Sequence, residues 1–175
     1  MSEERKYKFD WDTITGNLEV ARPQLGPNTR VEIYRLFQFT CRDVLEQHYG
    51  ADQADHIFRE AGLIAGRAFF EQFCSEAEDL NTLIKAVQDN FKELGIGIFR
   101  VENADSDDMS FMLTVDEDLD CSGMPDTSEE ICVYDEGFIR GILESFSGKE
   151  YHVREVDCWC AGSRTCRFRA EIKES

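Results

Sequence analysis

Glu155, Cys158, Cys160 and Cys166 fall within one short stretch, Glu155-Val156-Asp157-Cys158-Trp159-Cys160-Ala161-Gly162-Ser163-Arg164-Thr165-Cys166, and nowhere else do metal-ligating side chains crowd so closely. Two ligands separated by two residues can bend around one ion, and the returning strand of a hairpin can supply a third. Glu155-x-x-Cys158 followed by Cys166 has that form. A tetrahedral zinc needs a fourth donor, and Cys132, at the first turns of a helical segment, would bring that helix onto the hairpin. Cys160 competes with Glu155 for one corner, because residues two apart on a strand share a face, and it would complete a set of four sulfurs. Beside the metal reading stands a packing one, since thiols are common core residues. A site of three thiolates and a carboxylate leaves no open position for water or substrate, so its expected role is structural and not hydrolytic.

Little else in the chain suggests chemistry. His48, His56 and His152 belong to three different segments and form no constellation. No Ser/His/Asp set, glycine-rich dinucleotide loop or P-loop is visible, and the chain is not read as an enzyme. The acidic link Ala104-Asp105-Ser106-Asp107-Asp108 lacks the glycine and distant glutamate of a calcium loop and reads as a solvated turn. The run from Asp116 to Asp120 also lacks ligand spacing and leads into Cys121-Ser122-Gly123-Met124-Pro125, read as an exposed loop.

The elements that must position these residues follow from periodicity. The expected fold is α+β, with about four helices packed on a mainly antiparallel four-stranded sheet. Residues 1–28, with Pro23, Gly26 and Pro27, read as an irregular arm, and 29–175 as a single zinc-containing domain. Thr29-Arg30-Val31-Glu32 has a capping-box pattern, and Tyr34, Phe37, Cys41, Val44 and Leu45 follow at helical spacing to about Tyr49. Past Gly50, a second helix opens at Asp52 with Ala54, Ile57, Phe58, Ala61, Ala65, Phe69 and Phe73 on its apolar face. A third runs from about Asp79 to Leu94. The period then changes to two in Ile98 to Asn103 and Ser110 to Val115. A fourth helix covers about Ser128 to Phe146, and strands at Tyr151 to Asp157 and Thr165 to Ile172 complete the order. Gly62 and Gly66, like Gly137 and Gly141, stand one turn apart, a spacing that suits the close approach of another backbone.

Composition bounds the partners. A 42% hydrophobic and 31% charged chain of 175 residues suits one globular core. Its formal charge of −17 repels phosphate backbones and anionic lipid, so neither nucleic acid nor membrane is an expected partner. Seven cysteines without an apolar leader point to thiols or metal in the cytoplasm, not to a disulfide framework.

The stretch from Cys132 to Phe168 resembles the 4-vinyl-reductase-type (hydrocarbon-binding) domain, a small-molecule-binding module of bacteria and archaea. The likeness extends back through Gly137, Gly141 and Gly148, and more loosely to Ala21-Arg22-Pro23-Gln24-Leu25-Gly26 and Tyr34-Arg35-Leu36-Phe37. In that family the sensor domains of aromatic-responsive transcription activators hold zinc through a Cys, a Glu-x-x-Cys and a Cys after the hairpin turn. The resemblance therefore implies zinc on Cys132, Glu155, Cys158 and Cys166, favouring Glu155 over Cys160. It further implies the ligand-binding fold of nitric-oxide signalling and Golgi-transport proteins, a homodimer, and an apolar pocket between helices and sheet.

Pocket candidates are Phe91, Met109, Phe111, Leu113, Phe138 and Ile142, although aromatic stripes at these spacings equally suit plain core packing. The expected function is a zinc-stapled sensor that binds a small hydrophobic or aromatic molecule and acts through a signalling partner protein. Two alternatives are a dimeric interaction scaffold without ligand and an accessory protein of tetrapyrrole (bacteriochlorophyll) vinyl reduction.

Overall fold

A computed structural model describes residues 5–105 and 108–173. The chain ends and the middle of the acidic link 104–108 lie outside the described residues. The arm is not wholly irregular: it contains two short helices, α1 (Trp11–Thr15) and α2 (Leu18–Ala21). Asp10 and Asn17 cap them by accepting the backbone N–H groups of Thr13 and Val20. Four longer helices follow, α3 (Val31–Tyr49), α4 (Ala51–Phe69), α5 (Leu80–Leu94) and α6 (Val133–Ser147).

The strands are β1 (Ile98–Asp105), β2 (Ser110–Asp116), β3 (Tyr151–Asp157) and β4 (Cys166–Ile172). They form one fully antiparallel sheet in the order β1-β2-β4-β3. This is the α+β arrangement expected from the order of periodicities.

Alternation decides which face of the sheet is buried. Phe111, Leu113 and Val115 of β2 stand opposite Ala170, Phe168 and Cys166 of β4, and all six are buried. Arg167, between two of them, turns to the other face and pairs with Glu102 and Asp157. Under the buried face, Phe69, Phe91 and Phe138 form an aromatic cluster with centroid separations of 5.3–5.7 Å.

The helix layer is fastened by backbone contact. A Cβ on Gly62 would collide with the carbonyl oxygen of Tyr134, on Gly66 with that of Phe138, and on Gly137 with that of Arg59. The two glycine pairs therefore face one another across α4 and α6, which pack with no side chain between them at these points. Glu136 crosslinks the same region: it accepts from Arg59 of α4 and from the Glu155 backbone N–H of β3 at 3.0 Å.

Two expected boundaries shift. Helix α3 starts at Val31 with Arg30 as N-cap and no side-chain cap, because the Arg30 guanidinium pairs with Glu32, the residue the capping-box pattern required at the backbone. Helix α6 starts at Val133 and not near Ser128, where φ is +60° and the two N–H groups of Thr127 and Ser128 are spent on the Cys160 carbonyl. In contrast, α5 carries a full capping box, Asp79 accepting from Thr82 N at 2.8 Å and Thr82 Oγ1 accepting from Asp79 N at 3.1 Å.

Candidate functional site

Four sulfurs converge where the end of β4, the N-cap of α6, the end of the β3 segment and the loop after β2 meet. Sγ atoms of Cys121, Cys132, Cys158 and Cys166 all lie within 4.8 Å of one another, and all four residues are buried. Cys121 to Cys166 is 3.1 Å, Cys132 to Cys166 is 3.7 Å, and Cys132 to Cys158 is 3.8 Å. Tetrahedral zinc with bonds of about 2.3 Å spaces its sulfurs by about 3.8 Å, whereas a disulfide needs about 2.05 Å. All four thiols are free. The spacing and the donor set suit one thiophilic divalent ion, and a group of four close cysteines of this kind could hold a metal.

The cluster unites three of the expected ligands, Cys132, Cys158 and Cys166, and its fourth member is Cys121. Glu155 lies beside it. Glu155 Oε2 accepts the Cys132 backbone N–H at 3.1 Å, and Oε1 is buried without a hydrogen-bonding partner. Burial, then the neighbouring Cys158, pushes the Glu155 carboxyl up to about 9. Cys160 is buried outside the group, in a 3-10 turn (Trp159–Ala161), and burial raises its thiol to about 11. The thiols push each other apart in opposite senses: contacts with Cys121, Cys132 and Cys166 lower Cys158, while Cys132 is raised by Cys121, Cys158 and Cys166.

Cys121 is brought in by a segment that composition marks as exposed. Asp118, Asp120 and Cys121 are all buried, which corrects the reading of this run as a solvent loop. Asp118 Oδ1 accepts the backbone N–H groups of Asp120 and Cys121 at 2.7 and 3.2 Å, folding the turn on itself. Helix α3 then clamps it. Tyr34 and Gln38 donate to the two oxygens of Asp120 at 2.8 and 2.6 Å, and Arg35 donates to the carbonyls of Leu119 and Ser122 at 2.8 and 2.9 Å. Burial first, then the charge of Asp120, raises Asp118 to about 7. The sequence signal for this site was the crowding of five of the seven cysteines between 121 and 166, which spacing rules for a single hairpin do not exploit.

A second feature lies between α5, α6 and the sheet. A cavity of about 30 Å³ is lined by Leu83, Ile84 and Val87 of α5, Phe99 and Val101 of β1, Phe111 and Leu113 of β2, and Ile139, Ile142 and Leu143 of α6. Of the expected pocket residues, Phe111, Leu113 and Ile142 line it. Phe91 and Phe138 do not, because they are spent in the aromatic cluster with Phe69. Met109 sits at φ +51° in the turn before β2, half-buried and outside the lining. Every lining side chain is apolar.

The Cys132-to-Cys166 spacing, folded as a helix N-cap on a hairpin, gives the decisive match. Residues 111–172 match the 4-vinyl-reductase domain. Over 152 residues, covering 87% of this chain and 83% of the relative, the chain is 23% identical to an uncharacterized protein of Methanocaldococcus jannaschii. Two solved structures share the fold around this 4-vinyl-reductase segment. One is the phenol-responsive sensory domain of the transcription activator PoxR with phenol, at TM-score 0.63 and 15% identity, covering 76% of this chain and 71% of that chain. The other is a trafficking protein particle complex subunit 3 from Naegleria fowleri covalently bound to palmitic acid, at TM-score 0.63 and 16% identity, covering 82% of this chain and 95% of that chain. Among the described residues no helix is long and apolar enough to cross a membrane.

Proposed function

We propose that this chain is a non-catalytic module in which a zinc ion, held by Cys121, Cys132, Cys158 and Cys166, fixes the frame of a small apolar binding site, and that occupancy of the site is passed to a partner protein. The observation that carries the reading is the cavity between α5, α6 and the sheet, whose ten lining residues include no polar side chain. Its likeness in fold to a phenol-responsive sensory domain supports small-molecule sensing. The lining offers nothing to hydrogen-bond a hydroxyl, so the favoured ligand is a hydrocarbon ring or chain and not phenol itself.

At about 30 Å³ the cavity has room for about one or two water-sized probes, so a ring enters only when a wall moves. Helix α5 is the wall suited to move. It stands between a π-helical turn at Phe70–Cys74 and the left-handed Gly95, and it covers the cavity with Leu83, Ile84 and Val87. Zinc does not touch the cavity; it ties α6 to β4 so that the remaining walls stay in place. Glu155 then serves as acceptor for the Cys132 N–H and as a nearby negative charge, an outer-shell role.

The test is ligand-dependent thermal stabilisation with toluene, naphthalene, phenol and palmitate. A ligand at about 100 times its Kd adds about 2.7 kcal/mol, or about 5–10 °C for a chain of this size. Toluene or naphthalene should stabilise more than phenol, and Ile142→Trp, which fills the cavity, should abolish the shift. Absence of any shift in the wild type, or an equal one in Ile142→Trp, refutes the site.

The smallness of the cavity favours one second reading, an interaction scaffold with a filled core, and the same titration separates the two. For vinyl reduction of a tetrapyrrole the lining has no cationic group to meet a carboxylated macrocycle, and nothing in the site supports that role.

A further inference from the structure

We propose that α3 is one half of a two-fold interface, its outer face paired antiparallel against α3 of a second copy of this chain. The helix has nineteen residues and none of them is buried. Its inner side is held mainly by polar fasteners: Tyr34, Arg35 and Gln38 on the 118–122 turn, and Arg42 on Asp55 at 2.5 Å and over the Phe58 ring. An amphipathic helix is normally stabilised by burying its apolar stripe. Here the apolar stripe faces out. Ile33, Leu36, Phe37 and Val44 are 55%, 62%, 72% and 51% exposed. Most of the large hydrophobics left exposed among the described residues lie in positions 7–49, which makes this a concentrated surface and not scatter.

Charge chooses the occupant. The chain carries 36 acidic against 19 basic residues, yet Ile33, Leu36, Phe37, Thr40, Val44 and Gln47, spaced by three or four, are all uncharged. A basic partner would be met by carboxylates. A copy of the same acidic chain can approach only where neither surface is charged, and this stripe, about 21 Å long, is such a place. The stripe is also self-complementary. A two-fold axis between Phe37 and Thr40 sets Ile33 opposite Val44 and lays the Leu36–Phe37 shelf of one copy on that of the other, the isologous pattern of two-fold dimers. With Val31, the stripe exposes roughly 500 Å² of apolar surface per copy, so a pair buries about 1,000 Å², the range where specific interfaces begin. No other molecule on this face needs that symmetry.

Two readouts on the full chain test the pairing. By light scattering the wild type should run at twice its 20.2 kDa chain mass at micromolar concentration. Phe37→Glu should raise the dimer Kd at least about 100-fold while retaining its circular dichroism, because the replaced ring is solvent-exposed in the single chain; Leu36→Lys provides a second variant with the same expected result. In a Cys41→Ser background, Thr40→Cys should form a disulfide-linked dimer on mild oxidation, while exposed Glu60→Cys should not. A monomeric wild type, a dimer indifferent to both charge variants, equal crosslinking at positions 40 and 60, or dissociation in favour of a different protein bound to this face would each overturn the proposal.

Discussion

Replacing Cys121 with Ser removes one of four sulfurs lying within 4.8 Å of one another, whereas replacing Glu155 with Gln alters a carboxylate whose Oε2 accepts the Cys132 N–H. The two substitutions separate a four-sulfur site from a three-sulfur, one-oxygen site. Structural zinc contributes about 10–16 kcal/mol in small zinc proteins, so one of four ligands is worth about 3 kcal/mol, a loss on the order of 100-fold in affinity. Glu155→Gln, as a change outside the ligand set, should cost about tenfold. Cobalt provides the sharper assay, because each thiolate ligand adds sulfur-to-metal charge-transfer absorbance. Cys121→Ser should lower that absorbance by about one quarter at saturating Co²⁺, and Glu155→Gln should leave it unchanged. Full charge-transfer intensity in Cys121→Ser together with loss of metal from Glu155→Gln would refute the four-sulfur assignment and return Glu155 to the fourth corner.

Three further outcomes follow from the packing. Gly137→Ala places a methyl against the Arg59 carbonyl and 2.8 Å from Leu63 N, both backbone atoms that cannot rotate away; overpacking of this kind costs about 1–3 kcal/mol, and an unchanged melting temperature would contradict the contact. Asp79→Ala removes the α5 capping box and should cost about 1 kcal/mol by urea denaturation, with Asp79→Asn recovering most of it. Glu144 is pushed up by burial, but hydrogen bonds from Arg140, Arg67 and the Tyr151 N–H outweigh this and hold it below its ordinary value of 4.5. Its folded value is thus the lower one, so its contribution is present above pH 4.5 and fades as pH falls through the folded value. Wild type should exceed Glu144→Gln by about 1 kcal/mol at about pH 7 and converge with it in acid; a gap that is constant with pH would contradict the assignment.

The element order, the sheet and the paired glycines were legible because each depends on local periodicity. Gly62 and Gly66 announce a close approach, and Gly137 and Gly141 supply the opposite side. Cys132, Cys158 and Cys166 could be grouped because a hairpin and a helix start are short-range objects. Cys121 could not, since its burial depends on Tyr34, Arg35 and Gln38, more than 80 residues earlier, neutralising a turn that by composition belongs in water. The same limit applies to the cavity. Phe91 and Phe138 look equivalent to Phe111 in any periodic pattern, and only their packing on Phe69 removes them from the lining.

The backbone contact of α4 with α6 divides the molecule mechanically. With carbonyls against missing Cβ atoms there is no side chain to change rotamer and nothing to shear, so those two helices behave as a stator. The rotor has to be sought among elements joined through side chains. Helix α5 meets that description on one side of the stator and α3 on the other, which places any displacement produced at the cavity and any load arriving at the surface on opposite flanks of one rigid plate.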